Sequence, residues 1–310
     1  MVAQGSAGAA GMMRGTRIFL LPPLLWFGVF LLAPLLFVLR ISFATAREAQ
    51  PPYSPLLEAD SDGGITFLAH LDNYRFILSD SLYADAYLSS LATALFATLW
   101  CLLIAWPIAL AIARARGRAQ AALLILVILP FWTSFLLRVY AWKVLLQGNG
   151  VVNAILLQLG IIDTPLALLY SPFAVQIGIV YAYLPFMVLP LYAALARQDP
   201  ALAEAALDLG CPPWRVFLTV TLPLAAPGMV AGSLLVFVPA VGEFVIPELL
   251  GGANSLMIGR VLWTEFFGNR DWPVAAALAI TMLLIVVVPV ALLQSRAGNM
   301  QSGNSAGTSR

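Results

Sequence analysis

The acidic residue Glu243 lies within a mostly apolar run of the chain, residues 224–250, whose other acid, Glu248, is nearer the predicted outer end. An ionisable side chain within a candidate membrane span indicates a functional group, because an unpaired charge in hydrocarbon is costly. Pro239 and Pro247 lie about one turn before and after it, and kinks there could turn the carboxylate toward a water-filled path. Such a carboxylate can bind a cation in transit, or it can anchor neighbouring helices through hydrogen bonds. Both interpretations remain open at the level of sequence.

Aromatic rings near the outer ends of the candidate spans could add to a cation path, because ring faces attract ammonium groups. The predicted pathway residues are Glu243, Glu248, Trp132, Tyr140, Tyr183, Trp263 and Glu265. The aromatic members equally suit the interfacial belt of a membrane protein, and Glu248 equally suits a solvated rim. Glu265 belongs to a segment, 259–272, that is predicted to lie outside the membrane and could face an external partner.

Several kinds of site are excluded by the residues that the chain lacks. It contains no Gly-Lys pair, so it has no phosphate-binding P-loop, and Lys143 is its single lysine. His70 is its single histidine and lies in a polar stretch, which argues against a histidine metal site or a Ser/His protease. Cys101 and Cys211 fall at different levels of the bilayer, so no disulfide is expected. We therefore predict no catalytic residue, no metal site and no nucleic-acid partner.

The composition is that of a membrane protein. The 310 residues are 61% hydrophobic and 10% charged, where soluble proteins have about 25% charged residues, and the mean hydropathy is +0.92. A helix of about 20 apolar residues spans a bilayer, and six runs are long enough: 18–39, 86–113, 119–137, 173–196, 224–250 and 274–293. The prediction is an all-α membrane protein with six transmembrane helices in one domain, residues 17–295.

The distribution of arginines predicts the orientation, because cations near the ends of spans are retained on the cytoplasmic side. With Arg14 and Arg17 inside, the cytoplasmic segments carry nine cations and three acids, and the remaining seven cations face twelve acids. Both termini are therefore predicted in the cytoplasm, with a disordered leader over 1–16 and a disordered tail over 296–310. The segments 40–85, 138–172 and 251–273 are predicted to lie outside.

The cytoplasmic segment 197–223, between the fourth and fifth spans, predicts two short helices that meet at an angle. Asp199 suits an N-cap, Pro200 a first helical residue, and Gly210 the left-handed end of the first helix, after which a proline pair opens the second. The first helix is mostly alanine and leucine, and an uncovered apolar face in the cytoplasm is unfavourable. We predict that it enters a groove on another protein; the alternative is weak binding to lipid.

The spacing of seven residues in this segment resembles the EAA loop of binding-protein-dependent ABC importer permeases: Glu204, Ala205, Ala206, Gly210, Val220, Leu222 and Pro223. Val220 replaces the isoleucine usual in that family. There the loop docks into a cleft of the ATPase subunit, which implies six coupling residues: Glu204, Ala205, Ala206, Asp208, Gly210 and Arg215. The resemblance covers about residues 17–295. It is greatest to polyamine permeases of the putrescine type, through the strings 129–142, 181–192, 242–252 and 258–273.

The resemblance implies a type I ABC importer transmembrane domain with a short cytoplasmic coupling helix, in a bacterial inner membrane. It would form half of a translocation pathway for putrescine or spermidine. The implied partners are two ATP-binding subunits, a second, non-identical EAA-loop permease, an extracytoplasmic polyamine-binding protein and membrane lipid. The partner ATPase subunits would use ATP and Mg, and this chain would bind no cofactor and be no enzyme. The alternative, a self-sufficient secondary transporter or channel for a small cationic solute, would be expected to show an internal repeat or ion relays.

Overall fold

The computed structural model describes residues 21–55, 57–59, 65–67, 70–252 and 255–306, which are mostly helical. The thirteen α-helices of this part of the chain are α1 (Leu21–Ile41), α2 (Asp72–Ser79), α3 (Ser81–Arg114), α4 (Arg118–Ile128), α5 (Phe135–Leu145), α6 (Val151–Gln158), α7 (Pro172–Leu195), α8 (Pro200–Asp208), α9 (Pro213–Val216), α10 (Leu222–Val241), α11 (Val245–Leu250), α12 (Ile258–Trp263) and α13 (Trp272–Ala306). One antiparallel hairpin pairs β1 (Leu57–Ala59) with β2 (Ile65–Phe67). Apart from this hairpin, the predicted all-α class is confirmed.

Five helical segments are long and apolar enough to cross a membrane: Leu21–Ile41, Ser81–Arg114, Pro172–Leu195, Pro213–Val241 and Trp272–Pro289. A sixth span exists if Arg118–Trp132 and Phe135–Leu145, which meet at 91°, count as one broken span. This bend corrects the prediction of a single helix over 119–137. Pro130 has no amide hydrogen to continue the helix, so the backbone tightens into a 3-10 turn and then becomes extended at Thr133.

The chain divides into two compact units, which are considered separately: one holds the residues up to Asp80 and from Thr264 onward, and the other holds Ser81–Trp263. The single transmembrane domain over 17–295 stays a prediction. Helix α13 continues to Ala306, which differs from the predicted disordered tail over 296–310. Residues 307–310 and the predicted disordered leader over 1–16 lie outside the described residues.

In the first unit, α1 and α2 both pack against α13. The chain after α1 is held by Asn73, whose Nδ2 donates to the carbonyl oxygens of Ser42 (2.9 Å) and Ala44 (2.8 Å). At the start of α13, the Trp272 ring stacks on Tyr53 and on Phe266, with centroid separations of 6.2 and 4.9 Å. Aromatic stacking therefore holds the loop after α1 beside the start of α13.

The core of the second unit lies where α3, α7 and α10 pack together. Small side chains on α3 recur every four residues and are fully buried at Ala97, Cys101, Ala105 and Ala109. Residues four apart share one helix face, and small residues allow neighbouring backbones in a membrane to approach closely. The larger side chains that fill this core are Met187, Val188, Leu191 and Val236. This packing fixes α7, which carries Tyr183, and α10, which ends two residues before Glu243.

Candidate functional site

The 197–223 loop has the local structure that its sequence predicts. Asp199 caps α8, since its Oδ1 accepts a hydrogen bond of 3.0 Å from the Ala201 amide, and Pro200 is the first helical residue. Gly210 follows the helix with φ of +81°, a left-handed conformation that residues with a Cβ adopt only at a cost. The Cys211 amide then donates to the Ala206 carbonyl at 3.1 Å, which closes the turn.

Helix α8 presents its residues to the surroundings, because none of them is buried. Leu209 is 88% exposed, and Trp214 in the same loop is also exposed, with the Arg215 guanidinium 5.4 Å from the centre of its ring. Five of the six predicted coupling residues are exposed on this surface, and the sixth, Ala206, is partly exposed. The loop therefore offers an apolar surface with acidic and basic side chains at its edges, as a docking segment requires.

Two contacts fix this loop, one between its own ends and one to α3. Gln198 Nε2 donates to the Thr221 carbonyl at 3.1 Å, so the two ends of the loop are linked directly. The Phe217 ring lies edge-on to Trp106 of α3, with centroids 5.2 Å apart. Phe217 also begins a π-helical turn, Phe217–Thr221, that connects α9 to α10. Sequence reasoning missed Gln198 and Phe217, because neither the spacing nor the charge pattern marks them.

A cavity of about 580 Å³ lies within the second unit, among α5, α7 and the junction of α10 with α11. Its lining contains one acid, Glu243, and one cation, Arg138. The other polar side chain in the lining is that of Tyr183, and four aromatic residues contribute most of the remaining wall: Phe131, Phe135, Phe186 and Phe244. The cavity thus combines one carboxylate with several ring faces, a set of groups that suits an organic cation.

Glu243 lies in a break between two helices and not inside a single kinked helix. Helix α10 ends at Val241 and α11 begins at Val245, which corrects the predicted continuous span over 224–250. Pro247 has no amide hydrogen to donate to the Glu243 carbonyl, so a helix continuing through this point would lose a bond. The break is packed closely by Gly259, where a Cβ would lie only 2.4 Å from the Gly242 carbonyl oxygen.

The Glu243 side chain is 8% exposed and is held by three hydrogen-bond donors. Its Oε1 accepts from the amides of Val245 (3.0 Å) and Ile246 (3.4 Å) at the start of α11. Its Oε2 accepts from the Tyr183 hydroxyl of α7 at 2.5 Å. All three partners are uncharged donors, so they fix the carboxylate without neutralising it. The carboxylate can therefore serve as both a structural anchor and a negative charge at the cavity wall.

The remaining predicted pathway residues are placed differently. Trp132 is 81% exposed and, like the exposed Tyr140, is absent from the described lining of the cavity. Trp263 is outside the lining too, but its ring stacks on the lining residue Phe244 at 4.6 Å. Glu248 is paired with the Arg260 guanidinium, its Oε2 lying 2.6 Å from Nε. Of the predicted set, the structure brings Glu243 and Tyr183 together in the cavity.

Glu265 belongs to the first unit, where its Oε2 accepts a hydrogen bond of 2.8 Å from Asn269 Nδ2. The Asp271 amide donates to the Glu265 carbonyl at 3.0 Å, so this residue also shapes the turn that leads into α13. These contacts suit a residue that organises the turn before α13. They add nothing to its predicted part in the pathway.

Sequence reasoning missed Arg138 in the cavity wall. Its guanidinium carbon lies 5.5 Å from the centre of the Phe131 ring and 5.7 Å from that of Phe135. Its Nε and Nη1 atoms are buried and have no hydrogen-bond partner within the described residues. The signal available in the sequence is a single arginine that follows an aromatic and apolar run, but the distribution of charges places it at the start of the predicted outer segment and indicates no role for it.

The family described as binding-protein-dependent transport system inner membrane component matches residues 1–294. The chain belongs to this family. The family description and the apolar helices together indicate a multi-pass component of the inner membrane. The orientation of its termini stays a prediction. The predicted recognition of a binding-protein-dependent permease is confirmed.

Relatives within the family are named as permeases. The spermidine/putrescine transport system permease protein PotB of Escherichia coli K12 is 41% identical over 261 residues, which cover 84% of this chain and 90% of PotB. PotB of Haemophilus influenzae is 39% identical and covers 85% of this chain and 87% of its own length. The inner membrane ABC transporter permease protein YdcU of Escherichia coli is 32% identical, over 90% and 89% of the two chains.

Among solved structures, a bacterial ABC transporter involved in the import of the acidic polysaccharide alginate has the same fold. Its chain superposes with a TM-score of 0.67 at 18% identity, covering 95% of this chain and 99% of that chain. The alginate transporter in complex with a periplasmic protein that carries an alginate pentasaccharide superposes with the same score, over 93% and 96% of the two chains. This likeness confirms the ABC importer permease fold of the family.

Proposed function

We propose that this chain is a permease subunit of an ATP-driven importer of polyamines and that putrescine is its main cargo. The observation that carries the proposal is the Glu243 carboxylate, held by Tyr183 in a cavity walled by aromatic rings. Its support from relatives is the 41% identity to PotB, which is named a spermidine/putrescine transport system permease. Protonated diamines are organic cations, and a fixed carboxylate with ring faces stabilises such a charge during passage.

The proposed energy source is an ATPase that binds the 197–223 loop. The chain carries no Gly-Lys pair of a P-loop, and its α8 surface is exposed and apolar at Leu209 and Trp214. We assign the contact with the ATPase to Glu204, Ala205, Ala206, Asp208, Gly210 and Arg215. ATP and Mg are bound by two such subunits, while this chain binds no cofactor. The Gln198 and Phe217 contacts would then pass movement of the loop to α10 and α3.

The proposed assembly pairs this chain with a second, non-identical permease of the same family, so that each supplies half of the pathway. An extracytoplasmic binding protein would deliver the polyamine, in line with the periplasmic partner of the related alginate transporter. Closure of the ATPase subunits would favour the outward-open packing, and hydrolysis would restore the inward-open one. Glu243 and Tyr183 would contact the cargo during this exchange, and the other predicted pathway residues, Glu248, Trp132, Tyr140, Trp263 and Glu265, would line its approach.

The test is uptake of radiolabelled putrescine and spermidine by the complete complex in proteoliposomes, with ATP inside and the binding protein outside. Glu243→Gln keeps the shape of the side chain and removes its charge, so polyamine uptake should fall while the complex still assembles. Asp163→Asn, which removes an exposed acid elsewhere in the second unit, is the matched control. Absence of ATP-dependent polyamine uptake by the wild type would overturn the proposal, and uptake without ATP would favour a self-sufficient transporter.

A further inference from the structure

Arg138 places a positive charge in a cavity that is proposed to pass cations. Its guanidinium lines the same wall as the Glu243 carboxylate, and together they are the charged side chains of the described lining. Arg138 makes no ion pair within the described residues, and Glu243 is held by a hydroxyl and two amides. The two charged groups therefore form no salt bridge with each other. Each contributes separately to the potential inside the cavity.

Arg138 also occupies two of the aromatic rings in the cavity wall, so these rings are not available to a cargo. Its guanidinium lies 5.5 and 5.7 Å from the centres of the Phe131 and Phe135 rings, which is within the range of a cation–π interaction. Guanidinium groups are less strongly hydrated than ammonium groups and stack readily on aromatic rings, so they tolerate such a partly desolvated place. A polyamine ammonium that sought these two ring faces would have to displace a tethered cation.

The electrostatic consequence follows from the size of the cavity. The cavity is open on one side, and its volume of about 580 Å³ equals that of a sphere about 10 Å across, so a cargo inside it lies close to both charges. Glu243 attracts a diamine, and Arg138 repels it. The net charge of this wall is zero. A doubly charged cargo can therefore be guided by the carboxylate without being held strongly.

We propose that Arg138 prevents retention of the polyamine: it offsets the Glu243 charge and occupies the Phe131 and Phe135 rings, so that cargo passes without a tight membrane site. The inference rests on the proposed function. It assigns Arg138 as a positioning residue for passage, and it attributes tight polyamine binding to the binding protein outside. Removal of the Arg138 charge should convert the path into a binding site and slow release.

The experiment measures equilibrium binding of radiolabelled putrescine to the complete, nucleotide-free complex without binding protein. The variants are Arg138→Gln and Arg138→Met, two neutral replacements, and Arg138→Lys, which keeps the charge. Both neutral variants should bind putrescine about tenfold or more tightly than the wild type, as expected for removing one like charge at this range. Arg138→Lys should stay close to the wild type, and ATP-driven turnover should fall in the neutral variants.

The double variant Arg138→Gln/Glu243→Gln should lose the gain, since the carboxylate that attracts the diamine is then absent. Unchanged binding in both neutral variants, or a gain that persists in the double variant, would overturn the inference. Wild-type uptake of putrescine in the same preparation tests the proposed function separately. If the wild type imports putrescine but the neutral variants bind it no more tightly, the role of Arg138 is refuted and the proposed function stands. If the neutral variants bind more tightly and Glu243→Gln reverses the gain, the role of Arg138 is supported even when uptake fails.

Discussion

The hydroxyl of Tyr183 on α7 donates a 2.5 Å hydrogen bond to the carboxylate of Glu243, which lies 60 residues further along the chain in the break before α11. The same carboxylate accepts hydrogen bonds from the Val245 and Ile246 amides. The Glu243 side chain thus caps the start of α11 and links it to α7. Since its partners are all neutral, this structural task leaves its negative charge at the cavity wall.

Tyr183→Phe should lower the stability of the second unit, because it removes the one side-chain donor to Glu243. Hydrogen bonds to charged groups contribute about 1.5–3 kcal/mol in soluble proteins, and hydrogen bonds between membrane helices average about 0.6 kcal/mol. We expect a loss of about 0.5–2 kcal/mol, measured by thermal unfolding of the complex in detergent. Tyr140→Phe removes an exposed hydroxyl and is the matched control. Equal melting temperatures for the two variants would contradict the assignment.

Gly210→Val should weaken the association with the ATPase. The φ of +81° at this position is left-handed, and a Cβ there costs about 1–2 kcal/mol, so the turn after α8 would rearrange. The measurement is recovery of the ATPase subunit with the tagged chain, together with ATP-driven uptake. Asparagine tolerates the left-handed region better than valine, so Gly210→Asn should retain more ATPase than Gly210→Val. The coupling assignment fails if the valine variant recovers the ATPase and transports normally.

Glu248→Gln should impair uptake less than Glu243→Gln. The Glu248 charge is already neutralised by Arg260, 2.6 Å away, and the pair is partly exposed, so its contribution is about 0–1 kcal/mol. Glu243 forms no ion pair within the described residues, and the loss of its charge should reduce the uptake rate on the order of tenfold, equivalent to about 1.4 kcal/mol. Parallel uptake assays of the two variants give the comparison. A larger effect at Glu248 would place the cation path at the α11–α12 edge instead.

Ser90→Ala should destabilise the second unit without touching the cavity. The buried Ser90 hydroxyl accepts a 2.7 Å hydrogen bond from the Ile258 amide at the start of α12, and alanine would leave that buried donor unsatisfied. The expected cost is about 1–3 kcal/mol, measured as a lower melting temperature in detergent. Ser79→Ala, which removes an exposed hydroxyl from α2, serves as the control. If the two substitutions have the same effect, the Ser90 contact is not important for stability.

The membrane-spanning segments and the 197–223 loop could be predicted because they depend on residues close together in the chain. Apolar run lengths locate the spans, although they did not reveal the 91° bend after α4. Asp199 caps α8 and Gly210 ends it as their local preferences indicate. Each of these features needs only the backbone preferences of a few neighbouring residues and the fixed thickness of a bilayer.

The sequence alone identified Glu243 as the acid within an apolar run, but its environment depends on helices distant in the chain. Packing of α7 against α10 places Tyr183 on the carboxylate, and the chain after the 91° bend turns Arg138 into the same cavity. Packing of α11 against α12 pairs Glu248 with Arg260 and so neutralises its charge. The lengths of apolar runs and the counts of charges do not tell which side chains of different helices contact each other. That is decided by how the helices pack, through the close approach of small residues and the need of each buried polar group for a partner.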